Sequence, residues 1–137
     1  MFVDIKNYYE VTRVPFEYDG SANTDFQAGR FVTKNATGNT VAVTNANFTN
    51  TDHHIKMVFK GSEEASERAA KVLDVIEPPA IVETDNFDST QTYHYGDELT
   101  LDANGRITLR TAPATQGLLG YVESVGTSTI TFKFVDY

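Results

Sequence analysis

The sequence predicts a mainly β protein: a single-domain antiparallel β-sandwich or small β-barrel with at most one short helix. Three observations carry this expectation. Short stretches in which apolar and polar residues alternate, such as "TSTITFKFVDY", recur at regular spacing with the two-residue period of a half-buried strand. Gly, Asn and Pro residues separate them and are placed as turns. The interior such a fold needs is available, because 40% of the 137 residues are hydrophobic and nine Phe and seven Tyr supply large side chains in a chain without Trp. A domain of this size buries roughly two thirds of the surface it exposes when unfolded, enough for one core without staples.

Residues 1–25 form an N-terminal segment ahead of a β domain over 26–137. Phe2, Ile5, Tyr8, Tyr9 and Phe16 make this segment too apolar for a free tail, so it is expected to be an edge strand or an arm that docks on another subunit. Phe2, Tyr8, Tyr9 and Phe16 are the candidate partner contacts; packing of a first strand into the core is the competing explanation of the same residues. Within the β domain, "GRFVTKN" and "NTVAVTN" read as strands flanking Ala36-Thr37-Gly38. "HIKMVFK" alternates Ile55, Met57 and Phe59 with Lys56, Val58 and Lys60. "SEEASERAA" at 62–70 is the one helical stretch, with Ser62 as its N-cap and Glu63 and Glu64 in the first turn, where the helix dipole favours acids. "KVLDVIE" returns to strand character, and Pro78-Pro79 forces a break before a further strand at 80–84.

The stretch "YGDELTLDANGRITLR" at 95–110 fixes its own register. A two-residue turn at Asn104-Gly105 would set Leu101 against Thr108 and mix apolar with polar on each face. A three-residue loop at Ala103-Asn104-Gly105, with Gly105 left-handed, sets Leu101 against Ile107 and Leu99 against Leu109. Strands are therefore expected at about 97–102 and 106–111, with Thr100, Asp102, Thr108 and Arg110 on the wetter side. "GLLGYVESV" and the alternating Ile130, Phe132 and Phe134 form a closing hairpin that turns through Gly126-Thr127-Ser128. Segments 18–28, 45–53 and 85–92, rich in Asn, Asp, Thr, Ser and Gln, read as loops. A weak internal repeat aligns "GRFVTKNATGN" at 29–39 with "GDELTLDANGR" at 96–106, sharing Gly29 with Gly96, Thr33 with Thr100, Ala36 with Ala103 and Gly38 with Gly105. Two hairpins of one turn type converging on the same residues account for it more simply than a duplicated half-domain, and both readings stay open.

A net charge of −8, from 19 acidic and 11 basic residues, repels phosphate backbones and anionic surfaces, so neither nucleic acid nor a membrane is an expected partner. With no cysteine, disulfides and thiolate metal sites are excluded. The first sixteen residues lack the basic start and apolar run of a secretory signal, and no stretch approaches ~20 apolar residues, so a soluble protein made in the cytoplasm is expected. No residue pattern marks a catalytic, cofactor or metal site. His53-His54 are adjacent and point to opposite faces of an extended chain. His94 sits between Tyr93 and Tyr95, where aromatic packing explains it. "DNFD" and "DANG" lack the alternating ligands and distant Glu of a calcium loop and fit Asx turns. Neighbouring Glu63 and Glu64 do not face each other as a glycosidase pair would. Surface Tyr residues leave a carbohydrate-binding module as one alternative.

The order "FQAGRFVT", a strand with a Lys-Gly exit, "VETDNF", "YHYGDELTLDANGRIT", "GLLGYVESV" and a final Phe-rich strand resembles small structural proteins of tailed-phage virions, in particular capsid decoration, or cement, proteins. Tyr93 to Leu99, Gly105 and Gly120 to Val122 carry the likeness, which covers roughly residues 26–137. The resemblance implies a non-enzymatic β domain, made in the host cytoplasm, that binds the outside of the major capsid protein shell in many copies, associates with its own copies and resists the pressure of packaged DNA. It also implies a neighbouring possibility, a tail, fibre or baseplate component built on the same module. Gly38, Gly105 and Gly126 are expected to be structural turn residues, and no cofactor is expected.

Overall fold

The computed structural model describes residues 2–7, 10–15, 26–38, 40–50 and 54–135. Tyr8, Tyr9, Phe16 and His53 lie outside them. Eleven strands and one helix follow in order: β1 (Val3–Ile5), β2 (Glu10–Pro15), β3 (Phe31–Lys34), β4 (Thr40–Ala42), β5 (Lys56–Lys60), α1 (Ala65–Ala70), β6 (Val72–Glu77), β7 (Ala80–Thr84), β8 (Glu98–Leu101), β9 (Ile107–Leu109), β10 (Gly120–Val125) and β11 (Ile130–Phe134). They form two open antiparallel sheets, β1-β7-β11-β10-β8-β9 and β2-β6-β5-β3-β4, and not a closed barrel.

The hairpin at 95–110 has the register that its apolar pattern requires, Leu99 opposite Leu109 and Leu101 opposite Ile107. Gly105 is left-handed, at φ +73°. The inner faces of both sheets meet in one core. Phe31 of the five-stranded sheet packs edge-on to Phe132 and Phe134 of the six-stranded sheet, with ring centroids 6.4 and 5.8 Å apart. Such pairs add about 1 kcal/mol each beyond the area they bury.

Three local expectations are corrected. Thr100, placed by alternation on the wetter side, is buried. It shares the outer face of β8 and β9 with the Arg110–Glu98 ion pair, 3.1 Å, and with Thr108, whose hydroxyl donates to Gln91 Oε1, so long side chains and a loop close over it. Ser62 is not an N-cap. The helix begins at Ala65 with Glu64 in the capping position and no side-chain cap, and the Glu63 carboxylate accepts from the N–H groups of Ala28, 3.0 Å, and Gly61, 3.3 Å. Finally, β5 and β6 do not simply alternate. Val58, Leu73 and Val75 are buried on the outer face of the five-stranded sheet beside Val32, with Val14 and Phe26 packed against them, so this sheet is apolar on both sides. At the closing hairpin the loop runs over 126–129, where the Gly126 N–H donates to the Thr129 carbonyl at 2.9 Å.

The internal repeat goes further than its turn residues. Strands β3 and β4 and strands β8 and β9 have the same lengths and the same pairing, Val32 with Ala42 matching Leu99 with Leu109. Asn35 Oδ1 accepts from the Thr37 N–H, as Asp102 Oδ1 does from the Asn104 N–H. Among the described residues the left-handed glycines are Gly29, Gly38, Gly96 and Gly105, the glycines that the alignment superposes. The whole sheets also correspond: with β1 set aside, β2-β6-β5-β3-β4 has the strand order of β7-β11-β10-β8-β9. The described residues form two copies of one five-stranded topology packed face to face, plus β1 and α1.

Candidate interaction surface

Of the polar residues singled out in the sequence, Asp88 and Asp102 are spent on their own loops. Asp88 Oδ1 accepts from the N–H and hydroxyl of Thr90, whose hydrogen bonds, side chain first, hold its carboxyl below the usual carboxylate range. Asp102 accepts from the N–H groups of Asn104 and Arg106 and from Arg106 Nε at 2.9 Å. His94 is not packed among aromatic rings: its side chain is exposed, with Nδ1 3.7 Å from Asp97 Oδ2. Among the described residues no group of three or more His, Cys, Asp or Glu could hold a metal ion.

Two buried polar residues escaped the sequence reading. Asn86 Nδ2 donates to the carbonyls of Gly29, 2.7 Å, and Gly105, 3.1 Å, and so ties the two repeat hairpins together. A second link beside it runs from the Asn45 N–H to the Asp102 carbonyl, 3.1 Å. Glu67 of α1 is buried, with Oε1 3.1 Å from Arg13 Nη2 and, among the described residues, no hydrogen-bond partner at Oε2. Burial, reinforced by Asp74, pushes its carboxyl above the ordinary value against the opposing charges of Arg13 and Lys60. Nothing in "SEEASERAA" distinguishes Glu67 from Glu63 and Glu64; only the packing of α1 does.

Among the described residues, β1 and β2 each end a sheet at the N-terminal side of the sandwich, and each carries or adjoins an exposed apolar side chain. β1 pairs antiparallel with β7, Val3 opposite Thr84 and Ile5 opposite Val82. The pairing is anchored by Phe2 N–H to Asp85 Oδ1, 2.9 Å, by Lys6 N–H to the Ile81 carbonyl, 2.8 Å, and by Ile81 N–H to Asn7 Oδ1, 2.8 Å. On the outer side Lys6 Nζ bridges Asp4 and Glu83. β2 pairs with β6 along its whole length, Glu10 opposite Glu77 through Pro15 opposite Val72. Its side chains hold it there: Thr12 Oγ1 donates to Glu77 Oε1, which also receives Lys56 Nζ, and Arg13 Nε donates to Asp74. Burial raises the Glu77 carboxyl, but the hydrogen bonds from Lys56 and Thr12 outweigh it and leave the group below its ordinary value.

Of the candidate contacts Phe2, Tyr8, Tyr9 and Phe16, Phe2 lies among the described residues and is 43% exposed beside β1; Val11 in β2, not a candidate, is 36% exposed. Val11 carried no sequence signal of its own. On the outer face of the five-stranded sheet, Val14, Val32, Lys34, Thr40, His54 and Lys56 line an open groove of about 310 Å³ with an apolar floor.

No family model matches the chain, and no curated protein and no solved structure matches it either. The fold is a two-sheet antiparallel β-sandwich in which, among the described residues, β1 and β2 each end a sheet.

Proposed function

We propose that this protein is a non-enzymatic virion structural protein that decorates the outer surface of a capsid, stabilises the shell of major capsid protein and associates there with its own copies. The carrying observation is the N-terminal edge, where Phe2, Val11 and two terminal strands offer a contact surface made of backbone and apolar side chains. The residues behind the resemblance support the reading as framework: Tyr93 leads into β8, Gly105 makes the left-handed turn, and Gly120 and Val122 lie in β10. An acidic sandwich avoids the packaged nucleic acid, and modest contacts repeated over a closed shell sum to a large stabilisation.

Quantitative mass spectrometry of purified particles from the source tests this. A copy number equal to that of the major capsid protein, or a simple fraction of it, is the expected result. A handful of copies per particle moves the protein to the tail, fibre or baseplate, and absence from particles overturns the virion reading. A carbohydrate-binding module is the second reading, favoured by one observation: Tyr95 presents a ring that is 79% exposed on the turn before β8. Retention on a glycan array, lost with Tyr95→Ala, would establish it.

A further inference from the structure

We propose that the outer edge of β2 is the acceptor for one extended, alternately apolar segment of another polypeptide, which adds antiparallel as the sixth strand of the five-stranded sheet. The identity of that polypeptide as a shell protein rests on the reading above; the place and chemistry of the site rest on the fold.

The first argument is the equivalence of the two halves. β2 and β7 hold the same position in the shared strand order, and the outer edge of β7 is paired with β1. Among the described residues no strand pairs with the corresponding edge of β2. The second argument is width. At the far side the two sheets are held level, because Asn86 joins Gly29 to Gly105 and Asn45 joins Asp102. Six strands against five then carry β1 one strand beyond β2, leaving a gap one strand wide beneath it. The third is apolar surface. Val11 pairs with Ile76 of the core and so shares its inward face, yet remains 36% exposed. Val3 and Ile5 pack on the same core from β1.

The backbone supplies the fourth argument. Pro15 has no N–H, and a proline within a ladder is accommodated where its nitrogen faces away from the neighbouring strand. The two-residue period of a strand then turns the N–H and C=O groups of Val11 and Arg13 outward as well. Among the described residues no backbone group pairs with them, and they are the groups that strand addition uses. The occupant needs apolar residues at the positions facing Val11, Val3 and Ile5 and polar residues between them. That is the pattern of β1, Val-Asp-Ile. A second copy offering its own β2 does not fit: a two-fold axis half a strand beyond β2 would drive the overhanging β1 of each copy into β7 of the other.

The test is amide hydrogen exchange by NMR on the full chain, titrated with a capped synthetic peptide that has the sequence of residues 2–7. Exchange at Val11 and Arg13 should slow by about tenfold or more on adding peptide. Val11→Pro, which removes an outward N–H, should abolish this while shifting Tm by only about 2 °C. If Val11→Pro fails to fold, Val11→Lys keeps the backbone and should weaken peptide binding by about tenfold through loss of the apolar seat. Three results overturn the proposal: these amides are already protected in the dilute free protein, the peptide perturbs residues 80–84 alone by displacing β1, or protection rises with protein concentration alone as a dimer forms. An edge that takes the peptide on a protein absent from particles keeps the acceptor and removes the virion reading. Abundance on particles with an edge indifferent to the peptide does the reverse.

Discussion

At Gly105 the backbone holds φ at +73°, and a Cβ there would lie 3.1 Å from both the Val43 carbonyl oxygen and Arg30 Nη2. Gly38, its counterpart in the repeat, is as left-handed at φ +84° but faces open space. Gly105→Val should therefore cost about 3 kcal/mol and Gly38→Val about 2 kcal/mol, strain alone in the second case and strain plus crowding in the first. Denaturant midpoints check this, and equal losses would mean that Arg30 and Val43 simply move aside. Glu67 makes a prediction of opposite sign to most carboxylates. Its folded value lies above the unfolded value near 4.5, so the ionised group weakens the fold at neutral pH, and that penalty fades as pH falls through the raised value. Relative to Glu67→Gln, the native chain should gain stability between neutral pH and pH 4.5. Glu77 does the reverse: its folded value is lowered, so its contribution is present above 4.5 and is lost as pH falls through the lowered value.

Among the elements, the two N-terminal strands differ in what they hold. β1 is three residues long and adds to an edge, whereas β2 is paired with β6 over all six residues and clipped through Thr12 and Arg13 to β6 and α1, with Lys56 of β5 on the same Glu77 carboxylate. Deleting residues 1–7 should leave a folded protein with a Tm lower by several degrees, while deletion through residue 15 should abolish cooperative unfolding in circular dichroism. The hairpin at 95–110 was legible because two apolar pairs and one Gly-containing loop admit a single register that buries both pairs. The outer face of the five-stranded sheet was not legible, since consecutive buried residues such as Met57 and Val58 cannot be separated by alternation when both faces are covered. The helix start was misplaced for a different reason: Glu63 is attractive as a first-turn acid, but Ala28 and Gly61 compete for it from the loop. Of the candidate interaction surface, Phe2 stood out because the segment that carries it is too apolar for a free tail. Val11 did not, because its exposure is decided by which strand forms the edge, a property of strand order and not of local pattern.

At the scale of the molecule, neither half can bury its inner face alone, since the core alternates contributions such as Phe31, Met57 and Ile76 from one sheet with Leu99, Phe132 and Phe134 from the other. Fragments 1–77 and 78–137 should each be unfolded in isolation and should regain the native circular dichroism spectrum on mixing. Independent folding of either would mean that the repeated unit carries a core of its own. The burial of Tyr93 has a consequence of another kind. Its hydroxyl donates to the Asp88 carbonyl at 2.7 Å, its ring lies 5.8 Å from that of Phe87, and burial pushes its ionisation up to about 12. In a protein with seven Tyr and no Trp, ultraviolet absorption and emission come from phenols. Tyr93 is thus a built-in spectroscopic reporter, a phenol that stays neutral in alkali while the fold is intact and develops the tyrosinate band when the sandwich comes apart.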